Sequence, residues 1–125
     1  MPLSDIEIGS ENFRVDILAD ETGLIIAPVG EFDVAGVPRF EEAVEAVLDA
    51  EASRFLLDFT QLQFIDSSGI AAVVRAMPRL APPGERIRAC GIQGQVERVL
   101  DLVELLPRFE IVARPAETLV WPQGS

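Results

Sequence analysis

The chain has 125 residues, 49% of them hydrophobic, enough for one domain to bury a core without disulfides or metals. Its net charge of −11 repels nucleic acid and anionic lipid and suits a basic or amphipathic protein partner. Histidine and lysine are absent and all ten basic residues are arginines, which excludes Ser-His-Asp and Cys-His nucleophile systems, a Walker or Schiff-base lysine and the usual His/Cys zinc sites.

The chain should form a single domain over residues 1–125, with a core at about 13–120. Its first ten residues, "MPLSDIEIGS", read as a loose lead-in without the basic start and apolar core of a signal peptide. Phe13, Val15 and Ile17 alternate with Arg14 and Asp16, as in a half-buried strand. The turn "ADETG" then hairpins it to a second strand, "LIIAPV". Pro28 lacks the N–H for a ladder bond, so that strand should have an edge or bulge on one side there.

From Val37 the period becomes helical. Val37, Phe40, Val44, Val47 and Leu48 make an apolar face opposite Glu41, Glu42, Glu45 and Asp49, with Pro38 in the first turn. "RFLLDF" is a central strand covered on both faces, and "TQLQFID" reads as a loop. Ile70, Val73, Val74 and Met77 mark a second helix, which Pro78, Pro82 and Pro83 should break. "RIRACGI" is a fourth strand. Val96, Val99, Leu100 and Val103 give a third helix at spacing i, i+3, i+4, i+7. Phe109 to Ala113 supplies a fifth strand, and "PAETLVW" a short last helix. The sum is an α/β fold: a mixed, mostly parallel sheet of about five strands with three to four helices packed on it.

Residues 66–69, "DSSG", stand between an apolar run and a helix. A serine before a helix can place its oxygen on the exposed N–H groups of the first turn, worth roughly 1 kcal/mol. Asp66 adds favourable charge at the same end. A cap serine is also an accessible hydroxyl, and phosphorylation would add about −1.5 to −2 charges. The helix start should tolerate or welcome that phosphate, so the change would fall on a partner packed there. Forcing a partner to bury an unmatched charge at a cost of about 4 kcal/mol weakens binding about a thousandfold.

Other residues attract blander readings. Asp58, at the end of "RFLLDF", should cap a loop amide; a receiver-domain aspartate would need a late lysine, and the chain has none. Asp33 and Glu31 read as solvated acids rather than a metal pair. Arg75 and Arg79 read as solvated, with an acidic partner as the other possibility. The lone Cys90 reads as a small buried hydrophobe and suits a reducing compartment. Trp121 should pin the tail to the core, with an exposed position at a contact as the other possibility. Gly91 and Gly94 form no nucleotide-binding fingerprint.

"GEFD" at 30–33, "LLDFTQLQFIDSSGI" at 56–70 and the helix "VERVLDLVELLPRFEIV" after "GERIRACGI" resemble the anti-sigma factor antagonist branch of the STAS family, over roughly residues 13–120. The resemblance implies a STAS-like sandwich in which Ser67 accepts phosphate from an anti-sigma factor that is an ATP-dependent serine kinase. It places Asp33, Asp66, Ser67, Ser68 and Gly69 on the partner-binding surface. Ser68 would help to shape the helix start. It further implies a metal-dependent phosphatase that resets the switch. No catalytic residue, metal or cofactor of the chain's own is implied. The expected protein is cytoplasmic, without nucleic-acid or membrane partners, and a monomer or a weak dimer through its first-strand edge. The alternative is a non-switching STAS scaffold module in a stress-signalling or lipid-transport assembly.

Overall fold

A computed structural model of the chain describes residues 12–21, 23–52 and 54–114, and the backbone of 118–121. In chain order the elements are β1 (Phe13–Ala19), β2 (Leu24–Phe32), a 3-10 turn (Val34–Gly36), α1 (Val37–Asp49), β3 (Phe55–Asp58), β4 (Leu62–Ile65), α2 (Ser67–Leu80), β5 (Ile87–Cys90), α3 (Gly94–Leu102), a second 3-10 turn (Leu106–Arg108), β6 (Phe109–Ile111) and β7 (Thr118–Trp121). The sheet order is β6-β5-β3-β2-β1-β7, and β4 pairs separately with β2. β1 runs antiparallel to both its neighbours, whereas the β2–β3, β2–β4, β3–β5 and β5–β6 pairs are parallel.

The mixed, mostly parallel α/β sheet is the one expected, with two additional strands. β4 lies inside the segment read as a loop, "TQLQFID". Residues 118–121 belong to β7 and not to a last helix, because they find a ladder along Ile17–Ala19; residues 115–117 of that expected helix lie outside the described residues. β7 also covers part of the β1 edge that had suggested dimerisation. The lead-in, residues 1–10, lies outside the described residues too.

All three helices bury their apolar faces in one cluster with the strands, among them Phe40 and Val44 of α1, Val73 and Met77 of α2, and Val96 and Leu100 of α3. Leu57 of β3 joins that cluster. Its neighbour Leu56 points the other way, into a small second cluster with Ile25 and Cys90 that contains no helix residue. β3 is therefore covered on both faces, and Cys90 is a small buried hydrophobe, both as its sequence suggests.

Pro28 occupies a gap. The Leu24 and Gly30 N–H groups donate to Arg54 and Gln61 carbonyls, so strand alternation aims the N–H that Pro28 lacks to the same side. There β2 has passed its last pairing with β3, Ile26↔Leu57, and has not yet met β4 at Gly30↔Leu62. Pro78 does not end α2, which runs on to Leu80. A proline in the last turns forfeits a single ladder bond there, and burial of Met77 and Leu80 holds that turn in place.

At the end of α3, Val103 is 47% exposed and outside the core, contrary to its spacing. Glu104 takes a left-handed φ of 62°, the Leu105 N–H donates to the Leu100 carbonyl at 2.8 Å, and Leu105 fills the core position instead. Among the described residues, no helix is long and apolar enough to cross a membrane.

Candidate functional site

Phe32 and Ile65 are paired neighbours at the ends of the parallel strands β2 and β4. Each is followed by an aspartate in nearly the same extended backbone: Asp33 at φ −117°, ψ −167° and Asp66 at φ −111°, ψ −172°. Each aspartate caps the helical turn just after it. Asp33 Oδ1 accepts from the Ala35 N–H at 3.0 Å, and Asp66 Oδ1 accepts from the Ser68 and Gly69 N–H groups at 2.9 and 3.1 Å. The motifs Asp-Val-Ala-Gly and Asp-Ser-Ser-Gly thus form twin turns, side by side at one end of the sheet.

The closing glycines let the twin turns sit tightly. A Cβ on Gly36 would lie 2.7 Å from the Phe13 ring. One on Gly69 would lie 2.7 Å from the Phe32 carbonyl oxygen, which also accepts from the Asp66 N–H at 3.1 Å. Beneath both turns Phe13 stacks on Phe32 with centroids 4.6 Å apart, and Phe32 meets Phe40 at 5.0 Å. The site is mounted on a rigid aromatic base.

Five residues were expected here, and the fold gathers them all at this end. Asp66 is half-buried, Ser67 exposed, Ser68 half-buried and Asp33 half-buried. Gly69 is buried against Phe32 and offers the surface no side chain. One detail differs from the expected arrangement. The N-cap is Asp66, not Ser67, which is the first residue of α2. Asp66 is short enough to reach two amides from its extended backbone, and Ser67 already has entered the helix. Among the described residues, the Ser67 hydroxyl has no hydrogen bond that would tie it down.

Residues not singled out by sequence reasoning complete the surface. Val34, the counterpart of Ser67 in the twin turn, is 69% exposed, and Phe64 on β4 is 40% exposed. Gln95 of α3 brackets Ile65: its Oε1 accepts from the Ile65 N–H and its Nε2 donates to the Ile65 carbonyl, both at 3.0 Å. The exposed valine directly after "GEFD" was a signal available in the sequence; the glutamine contact, thirty residues away, was not.

Two other expectations meet partners inside the chain. Asp58 caps the Thr60 N–H at 2.9 Å, as expected, and also pairs with Arg114 at 3.0 Å. Burial alone would raise this carboxyl's pKa, but hydrogen bonds from Thr60 and Arg114 outweigh it and hold the group below the ordinary carboxylate value. Arg75 and Arg79 are not free for an acidic partner: they pair with Glu41 and Glu45 of α1 at 3.0 and 2.6 Å. Trp121 pairs with Ile17 through its backbone, and its side chain lies outside the described residues. Among the described residues, no group of three or more His, Cys, Asp or Glu is placed to hold a metal ion.

Comparison with known proteins agrees with this fold. The chain is 26% identical over 101 residues to the anti-sigma-B factor antagonists of Listeria monocytogenes and Listeria innocua, spanning 80% of this chain and 89% of each of theirs. Among solved structures, it resembles an anti-sigma factor antagonist from Mycobacterium paratuberculosis with a TM-score of 0.71 and 16% identity, over 83% of this chain and 89% of that one. It also resembles the anti-sigma factor antagonist SpoIIAA in its unphosphorylated form, with a TM-score of 0.62 and 21% identity, over 80% of this chain and 87% of that one. The phosphorylated form of Bacillus SpoIIAA matches at 0.57, again with 21% identity, over 80% and 90%. The STAS domain model matches residues 14–118, and the chain belongs to the STAS domain family.

Proposed function

We propose that the chain is an anti-sigma factor antagonist whose switch is Ser67. Unphosphorylated, it binds an anti-sigma factor that is also a serine kinase, and the sigma factor is set free to direct transcription. The kinase then transfers the γ-phosphoryl group of ATP to Ser67 Oγ; the hydroxyl loses its proton and ADP leaves. The phosphorylated protein lets go, the anti-sigma factor recaptures sigma, and a metal-dependent phosphatase resets the cycle. The chain acts as the kinase's substrate, so it needs no catalytic residue of its own.

The observation that carries this reading is an exposed serine on the first residue of α2 whose capping duty is discharged by its neighbour. The hydroxyl is free to react, and the helix does not depend on it. Exposed Val34 beside it offers an apolar contact, and Asp33 and Asp66 offer charge to a basic partner. A dianion introduced among these acids would have to be desolvated unmatched in the complex. The names of the Listeria relatives, and the existence of SpoIIAA in two phosphorylation states, support the same reading.

The test is a pull-down from lysate of the source organism with wild type, Ser67→Ala and Ser67→Asp as baits, with phosphate mapped on the wild type. A small ATP-binding serine kinase retained by the first two and lost by the third, with phosphate on Ser67, is the expected result. Identical partners on all three baits and no phosphate would replace the switch by the non-switching scaffold.

A further inference from the structure

Phosphate on the first residue of a helix ordinarily finds free amides waiting for it. At the start of α2 the second and third of those amides, Ser68 and Gly69, are occupied. Asp66 Oδ1 holds the Ser68 and Gly69 N–H groups at 2.9 and 3.1 Å, and the Asp66 carbonyl holds the Ile70 N–H at 2.9 Å. One residue thus satisfies three consecutive donors. Its own N–H is anchored on the Phe32 carbonyl, which fixes the carboxylate over the helix start. A phosphate on Ser67 would have to evict a charged group from hydrogen bonds that suit it well, and two like charges cannot share the same pair of donors cheaply.

We propose that Asp66 is a positioning residue of the switch: it occupies the amides that would otherwise bind a phosphate on Ser67, so that the phosphate stands in solvent with its full charge, presented to partner and phosphatase alike. The inference rests on the reading of Ser67 as the modified residue. It narrows the expectation from sequence, that the helix start tolerates or welcomes the phosphate, to tolerance alone, since the welcome is already spent on Asp66. Other charges nearby share its sign: Asp33 on the 3-10 turn packed against α2, and Glu31 at the end of β2. α3 carries Glu97 and Arg98 in its first turns, and α1 carries Arg39 near its start. Farther along α2, Arg75 is engaged by Glu41. β4 carries no charged residue.

The experiment uses full-length chain with phosphoserine installed at 67 during synthesis, so that no kinase is needed. The second ionisation of the phosphate is followed by phosphorus NMR against pH, with the same chain unfolded in urea as reference. The Ser68 and Gly69 amide resonances are followed in parallel. In folded wild type the phosphate should titrate about half a pH unit above the reference, from a like charge a few ångströms away in water. The two amides should not follow it. In Asp66→Ala the freed amides should bond the phosphate, draw its titration below the reference and report that titration in their own shifts. Asp66→Asn keeps the acceptor without the charge and should titrate near the reference, with the amides still silent. A wild-type phosphate that titrates at or below the reference, with both amides following it, overturns the proposal. If Asp66→Ala does not fold, wild type and Asp66→Asn decide. Because the phosphate is installed chemically, absence of a cognate kinase leaves this result untouched and counts only against the choice of Ser67 as the switch.

Discussion

A methyl group on Gly69 probes whether the helix start is as tightly seated as its geometry says. The added Cβ would lie 2.7 Å from the Phe32 carbonyl oxygen, 2.8 Å from Ile65 Cγ1 and 2.9 Å from Phe32 Cγ. None of these atoms yields easily. The carbonyl is bonded to the Asp66 N–H, and the Phe32 ring is fully buried and stacked on Phe13. Overpacking costs about 1–3 kcal/mol, and against a backbone atom that cannot swing aside the upper part of that range, about 2–3 kcal/mol, applies, while the better helix propensity of alanine returns ~1 kcal/mol. Gly69→Ala should therefore lose about 1–2 kcal/mol and about 5 °C in Tm. To relieve the clash α2 must back away from β2, which stretches the Asp66 cap and shifts Ser67. Urea denaturation followed by circular dichroism measures the loss, with Ser68→Ala as the comparison. A Gly69→Ala protein as stable as wild type would refute the reasoning, because it would mean that the helix start slides freely over Phe32.

Removing the two neighbours in turn should separate cap from switch: Asp66→Ala is expected to cost about 1–2 kcal/mol in urea denaturation and Ser67→Ala less than about 0.5 kcal/mol. Equal losses would show that Ser67 shares the capping. Asp58 is held below its ordinary pKa, so its ionised form stabilises the fold above 3.8 and that contribution fades as pH falls through the lower folded value. Arg114→Met should accordingly lower the urea midpoint at neutral pH, and its deficit should shrink under acid; a deficit independent of pH would discount the pair. Val34→Glu leaves the core untouched, so it should keep wild-type stability while weakening capture of the proposed anti-sigma partner at least tenfold. Undiminished capture by this variant would remove the 3-10 turn from the interface.

The helices were legible because long apolar faces repeat: Phe40, Val44 and Val47 of α1 are buried as their spacing demands. β4 was not, because Leu62 and Ile65 both reach the core and spoil the alternation that marks a strand, next to a register shift at Gly30/Glu31. β7 has no periodic signature of its own, and only its ladder with β1 makes it a strand. At the site, Asp66, Ser67 and Ser68 are all good cap residues, and composition does not choose among them. Extended backbone at Asp66 does. Arg114 and Gln95 reach their partners from 56 and 30 residues away, beyond any local pattern.

Gln95 has a consequence for how a partner can approach. Ile65 is the last residue of β4, and beyond β2 its N–H and carbonyl would be an open template for an incoming strand. The glutamine amide presents one acceptor and one donor to that pair, as a foreign backbone would, and so seals the template with a side chain. Only glutamine or asparagine carries both functions on one planar amide like that of a backbone, and only glutamine has the length used here. Strand addition at Ile65 is thereby denied, and recognition there falls to what projects from the surface rather than to the backbone beneath it.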